Sequence, residues 1–305
     1  MNNESKKYTF SLLGGDRRQT IVAEKLIRLG HKVKLYGLGE HSIHVSGAEI
    51  CSHAEKAILG SDVIILPLPV SRDKVHLSFS SGVSVTPLKL NDIIDIAKKG
   101  GCSTILGGMI PGETARIAEL NEIFIYDYYK SEELQRKNAL PSAEGALMIA
   151  MEHTEKIIKG MNVIVSGYGK TGSCLVSLLD RLGAEVTVAA RSDAALCEAA
   201  LNGFKTVRIG EDTSELARSL TECDVIFNTV PAVIFGEQVL KRLKNKPLYI
   251  EIASNPGGID LSAARDIGIQ VIFAPSIPGK YAPVTAGEYI FETITDILTK
   301  RGIDI

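Results

Sequence analysis

The stretch VIVSGYGKTGSCLVSLLDRLGAEVTVAAR, residues 163–191, constrains this chain more than any other. An apolar run of strand length ends at Gly167, and Gly167, Gly169 and Gly172 form G-x-G-x-x-G. A helical pattern follows, with Cys174, Leu175, Leu178, Leu179 and Leu182 on one face, and then a second apolar run. Strand, glycine turn, helix and strand within about 30 residues is the setting a dinucleotide fingerprint needs. The first glycine permits a tight turn, the second lets the backbone approach a pyrophosphate, and the third lets helix and strand pack closely. The helix N-terminus adds unpaired N–H groups and the positive end of a dipole. Gly167, Tyr168, Gly169, Lys170, Thr171 and Gly172 are therefore the expected nucleotide-binding turn; a turn kept only for packing is the alternative.

The end of the second strand bears on which nucleotide. An NAD site places Asp or Glu there to accept from the ribose 2′-hydroxyl. This chain has Arg191 followed by Ser192. A guanidinium suits a 2′-phosphate through charge-assisted bonds, so NADP is favoured, with NAD the alternative. Ligands of open parallel sheets lie beyond the carboxyl ends of the strands. Thr229, Val230 and Pro231 follow one apolar run, and Ala253 and Ser254 another, so these residues are expected to line the same site.

The first half has the same grammar. YTFSLL reads as a strand, Gly14–Gly15 as a turn, the next stretch as a helix with Val22, Leu26 and Leu29 on one face, and KVKLYG as a strand. Strands and helices alternate along the whole chain, which predicts parallel βαβ units. A long helical pattern is expected from about Pro141, with Ser142 as its cap, to Gly160. The fold expected is α/β: two doubly wound parallel-sheet domains, the second a Rossmann dinucleotide-binding domain. Residues 1–140 plus 288–305 form the expected substrate and catalytic domain, and 141–287 the expected NAD(P)-binding domain.

Bulk properties exclude other classes. The chain has 305 residues, 45% hydrophobic and 23% charged, with net charge −2. That balance suits a folded chain and offers no basic surface for nucleic acid or membrane. No apolar run approaches the roughly 18 residues of a membrane helix, and the start lacks a secretory h-region, so a cytoplasmic location is expected. Five scattered cysteines read as reduced, small core residues. His41 and His44 are three apart, but no third ligand accompanies them, and no metal is expected.

The motifs GGDRRQ, VSGYGKTG, AARS and PGKYAPVTAG resemble, in order and spacing, those of the A-subunit family of dipicolinate synthase from spore-forming bacteria. The wider outline is similar to two-domain dehydrogenases of the 2-hydroxyacid and alanine dehydrogenase kind. The resemblance implies a partner, a flavoprotein-like B subunit, and a small dicarboxylate substrate of the lysine pathway. It implies formation of pyridine-2,6-dicarboxylate from a dihydrodipicolinate or 4-hydroxy-tetrahydrodipicolinate precursor, with hydride transfer to NADP, in the mother cell of sporulating bacteria. The alternatives are a stand-alone NADP-dependent dehydrogenase of another small carboxylate and a nucleotide-binding scaffold subunit. On that resemblance Asp16, Arg17 and Arg18 anchor one substrate carboxylate and Lys280 or Thr285 the other. A solvated helix start with Asp16 as its cap is the competing reading of that turn. Lys280, Glu144 and Asp16 are the candidates for proton handling. No His–Asp relay of the hydroxyacid dehydrogenase type is visible near the end of the dinucleotide half. A homo-oligomer is compatible with the sequence.

Overall fold

Short runs of Val, Ile and Leu such as Val63–Ile64–Ile65 can be buried on both faces only inside a parallel sheet covered by helices. All three are fully buried in the computed structural model, which describes residues 6–80, 82–243 and 245–305. The chain divides into two compact units, Met1–Lys137 with Ala282–Ile305, and Asn138–Tyr281.

The first unit contains strands β1 (Thr9–Leu13), β2 (Lys32–Tyr36), β3 (Glu49–Ile50), β4 (Val63–Ile65), β5 (Thr104–Gly107) and β6 (Phe124–Asp127). They form one parallel sheet in the order β3-β2-β1-β4-β5-β6. Helices α1 (Arg17–Arg28), α2 (Ala54–Ile58), α3 (Leu90–Lys99) and α4 (Gly112–Leu120) lie between them in sequence. Phe10, Leu12, Val22 and Leu26 belong to the core on one face, and Leu13, Ile64, Ile93 and Ile105 to the core on the other. Each such side chain contributes about 1.5–3 kcal/mol on burial. Leu29 departs from the expected stripe: it is the C-cap of α1 and is exposed, while Ile21, Val22, Ala23 and Leu26 are buried.

Helix α5 (Glu132–His153) spans the division between the units. It starts nine residues before the expected Pro141 and ends at His153, well short of Gly160. Ser131 Oγ accepts from the Leu134 N–H at 3.3 Å, and Glu132 and Glu133 complement the dipole of the first turn. Pro141 therefore lies inside the helix, where it lacks the N–H that would reach back four residues. Ser142 is no cap: its hydroxyl donates to the Asn138 carbonyl at 2.8 Å.

The second unit repeats the plan with β7 (Asn162–Ser166), β8 (Glu185–Ala190), β9 (Lys205–Arg208), β10 (Val225–Asn228), β11 (Leu248–Glu251) and β12 (Val271–Phe273). Its parallel order, β12-β11-β10-β7-β8-β9, is that of the first sheet. Helices α6 (Lys170–Arg181), α7 (Asp193–Leu201), α8 (Ser214–Ser219), α9 (Glu237–Leu240), α10 (Leu261–Ile267) and α11 (Ile277–Tyr281) complete it. The final helix, α12 (Pro283–Thr299), packs into the first unit's core through Ile290, Ile294 and Leu298. Cys51, Cys102 and Cys223 are buried as expected, whereas Cys174 is half-buried and Cys197 exposed.

Candidate functional site

In each sheet the strand order reverses beside the first strand, so the crevice at the carboxyl ends of β1 and β4, or of β7 and β10, is where a ligand belongs. Both positions carry a glycine turn. The two turns are filled differently.

In the second unit the turn is closed beneath and open above. A Cβ on Gly167 (φ +93°) would lie 2.3 Å from Thr229 Oγ1, and that hydroxyl donates to the Ser166 carbonyl at 2.8 Å. A Cβ on Gly172 would lie 2.2 Å from the Gly167 carbonyl oxygen. A Cβ on Gly169 would meet nothing within 4 Å. Gly169 is also the N-cap of α6, with no side-chain cap. The turn thus offers open backbone and a helix N-terminus at one point, which fits a pyrophosphate. Tyr168 is half-buried against Phe204, with ring centroids 6.4 Å apart, while Lys170 is exposed and Thr171 half-buried.

Arg191 and Ser192 follow β8 and are exposed; Ser192 Oγ caps α7, accepting from the Ala195 N–H at 3.3 Å. Arg208 joins them. The β8–β9 register sets Ala190 opposite Arg208, whose Nη1 donates to the Arg191 carbonyl at 3.2 Å and whose Nη2 pairs with Asp193. Sequence reading missed Arg208, because only strand register brings it there. Thr229, Val230 and Pro231 follow β10, and Ala253 and Ser254 follow the adjacent β11. A cavity of about 540 Å³ lies at the opposite, amino-terminal ends of β7, β8 and β9, lined in part by Asn162, Glu185 and Lys205.

The first unit's turn is already filled. The Gly15 N–H donates to the Ser78 carbonyl at 2.9 Å, and Ser80 Oγ donates to the Gly15 carbonyl at 2.6 Å. A Cβ on Gly14 would lie 2.5 Å from that same Ser78 oxygen. The segment around Ser78 therefore occupies the place a phosphate would need. The anion at the α1 N-terminus is Asp16 itself, whose carboxylate accepts from the Arg18 N–H at 3.0 Å. Arg18 Nε and Nη2 close on the same carboxylate at 2.9 and 2.7 Å, and Nη2 also donates to the Leu68 carbonyl. Burial opposes the charge on Asp16, but the hydrogen bonds and charge of Arg18 outweigh it and hold the carboxyl below its usual range.

These contacts correct two expectations. Arg18 is 5% exposed and its fork is committed inside the protein, so it is a structural residue and not an open carboxylate clamp. Asp16, engaged as helix cap and as the ion-pair partner of Arg18, has its carboxyl held below its usual range and is a poor base for taking a substrate proton. Arg17, on the same turn, is exposed.

The remaining candidates lie on helices. Lys280 is exposed on α11, with Nζ 4.9 Å from the centre of the Tyr281 ring. Glu144 is exposed on α5, and Thr285 is exposed in the first turn of α12. One pair was overlooked: His76 Nδ1 lies 2.7 Å from Asp73 Oδ2 in the first unit. The D-x-x-H spacing was the available signal. Hydrogen bonds from the His76 backbone and ring, the Val75 N–H and Ser71 hold the Asp73 carboxyl far below its usual range.

Two doubly wound parallel sheets, one with an open glycine fingerprint, define a two-domain protein of dehydrogenase-like Rossmann architecture. A transhydrogenase from Sinorhizobium meliloti shares that fold, with TM-score 0.66 at 15% identity over 97% of this chain and 94% of that one. More specifically, residues 9–129 match the family defined by the N-terminal domain of the dipicolinate synthase A subunit. The A subunit of dipicolinate synthase from Bacillus subtilis (strain 168) is 29% identical over 290 residues, 95% of each chain. The crystal structure of the dipicolinate synthase A chain from that species covers 98% of both chains with TM-score 0.80 at 28% identity. The A subunit from Bacillus halodurans gives TM-score 0.81 at 26% identity, over 96% of this chain and 98% of that one. Residues 9–129 thus match the N-terminal domain of that family, and the chain as a whole is similar to dipicolinate synthase A subunits. Among the described residues, no helix is long and apolar enough to cross a membrane.

Proposed function

We propose that the chain is the A subunit of a dipicolinate synthase, acting with a B subunit to form pyridine-2,6-dicarboxylate during sporulation. In this reading the unit Asn138–Tyr281 holds NADP and the other unit receives a small dicarboxylate. The observation that carries it is the contrast between the turns: Gly169 faces open space, whereas the Gly14–Gly15 turn is plugged by Ser78. Arg191, with Arg208 beside it, supports a 2′-phosphate and hence NADP over NAD. When bound, the oxidised nicotinamide supplies a hydride acceptor, and loss of two hydrogens from a dihydropyridine ring is favoured because it yields an aromatic product. Arg17 is the guanidinium left to hold a substrate carboxylate, with Lys280 or Thr285 for the second. Lys280 and Glu144 are the remaining candidates to take the proton.

The test mixes the purified chain, NADP and dihydrodipicolinate and follows absorbance at the NADPH wavelength. Growth without the partner subunit is the expected result. NADP binding without turnover until the partner is added would make the chain a nucleotide-binding scaffold. Turnover of a hydroxy or amino acid instead would make it a dehydrogenase acting alone. Arg17→Ala should raise the substrate KM by about ten-fold or more, as loss of a charge-assisted bond implies, and leave NADP affinity unchanged.

A further inference from the structure

At the carboxyl end of β11 a carboxylate is buried beneath the loops that follow β10 and β11. Glu251 is 3% exposed. Its Oε1 accepts from Asn228 Nδ2 at 2.6 Å and from the Ala253 N–H at 3.1 Å. Its Oε2 accepts from the Gly258 N–H at 2.7 Å and from the Tyr249 hydroxyl at 3.1 Å. The orientation of Asn228 is set on its other side, where Oδ1 accepts from Ser166 Oγ at 2.6 Å and the Val230 N–H at 3.2 Å. The loop folds tightly over this group: a Cβ on Gly257 would lie 2.9 Å from Oε2, and one on Gly258 2.3 Å from Asn228 Nδ2. Four donors thus converge on two accepting oxygens, the pattern of an ionised carboxylate. All four are neutral, so they stabilise the negative charge without cancelling it.

We infer that Glu251 is a fixed negative charge that favours the oxidised, cationic nicotinamide over the reduced, neutral one. The inference rests on reading this unit as the nucleotide site. With the pyrophosphate at Gly167–Gly172 and the adenosine ribose at the end of β8, the nicotinamide half extends over the ends of β10 and β11. The two redox forms differ in charge at the ring, and only the oxidised ring carries a positive charge for Glu251 to attract. That bias keeps the hydride-accepting form bound, as an aromatising oxidation requires.

Calorimetric titrations of the wild type and Glu251→Gln test it, using the oxidised and reduced forms of NADP (or of NAD, if that binds) and 2′,5′-ADP as the adenine-side probe. The expected result is that Glu251→Gln weakens the oxidised form on the order of ten-fold more than the reduced form. The adenine-side probe should be unaffected, and Tyr249→Phe, which keeps the charge, should keep the wild-type ratio. Equal loss of both forms, or no loss of either, overturns the inference and leaves the nucleotide reading standing. A wild type that binds none of these compounds overturns that reading, and the inference with it. If Glu251→Gln does not fold, the wild type decides alone: oxidised form bound at least as tightly as reduced supports the inference, and oxidised form bound ten-fold more weakly overturns it.

Discussion

Gly145 lies in the interior of α5, where replacing glycine by alanine ordinarily stabilises a helix by about 1 kcal/mol. Here the sign should reverse. An added Cβ would lie 2.2 Å from Ile277 Cγ2 and 3.1 Å from Tyr281 Cδ2. Carbon atoms rest at about 3.5–4 Å, so Ile277 must retreat by more than an ångström. It is 2% exposed and belongs to the core built on β7, β8 and β10, so it has no free space to enter. Overpacking costs about 1–3 kcal/mol, and a displacement this large belongs at the upper end. Set against the propensity gain, Gly145→Ala should destabilise the protein by about 2 kcal/mol. Urea unfolding followed by circular dichroism reads this as a lowered midpoint. Ile277→Ala alone should cost about 2–4 kcal/mol, but the double variant should lose less than the sum, because one change makes the space the other needs. Gly112→Ala is the control: it lies in the first turn of α4 with nothing within 4 Å of an added Cβ, and it should be neutral or slightly stabilising. If Gly145→Ala behaves like Gly112→Ala, or the cycle is additive, the packing explanation is wrong.

Asp16→Asn should destabilise the protein by about 3 kcal/mol, since it strands the buried Arg18 guanidinium. Because the Asp16 carboxyl is lowered on folding, its contribution is complete above its ordinary 3.8 and is lost as pH falls through the lower folded value. An acid unfolding series should show that loss in the wild type and a smaller one in Asp16→Asn. Arg191→Ala should weaken NADP by about ten-fold or more while leaving NAD within about two-fold, which shifts the ratio of Kd values. Gly169→Ala should fold with a wild-type melting temperature yet lose dinucleotide affinity, whereas Gly172→Ala, which drives a Cβ into the Gly167 carbonyl, should lower the melting temperature itself.

Much of the fold was legible because parallel sheets write themselves into local sequence. The runs at Val63–Ile65 and Val225–Asn228 are apolar throughout or nearly so, since both faces of each strand are covered. The glycines at 167 and 172 announce a turn that only residues without side chains can make, and Gly169 between them leaves its backbone open. The start of α5 was not legible, because Pro141 looks like a first helical position and only the surrounding helix shows that it lies inside.

The site was legible where it depends on neighbours in sequence and obscure where it depends on register or distant segments. By itself the sequence determined two doubly wound modules and a glycine fingerprint in the second, because strand, turn and helix are encoded within one short stretch. Only the tertiary structure decided that the first turn is plugged, by a hydroxyl 65 residues away in the chain and the carbonyl two residues before it. Only the structure turned Arg18 inward to Asp16, set Arg208 beside Arg191, and buried Glu251 among four donors. Those outcomes depend on which chain segments meet across a sheet or over a strand end, and local propensity carries no record of such meetings.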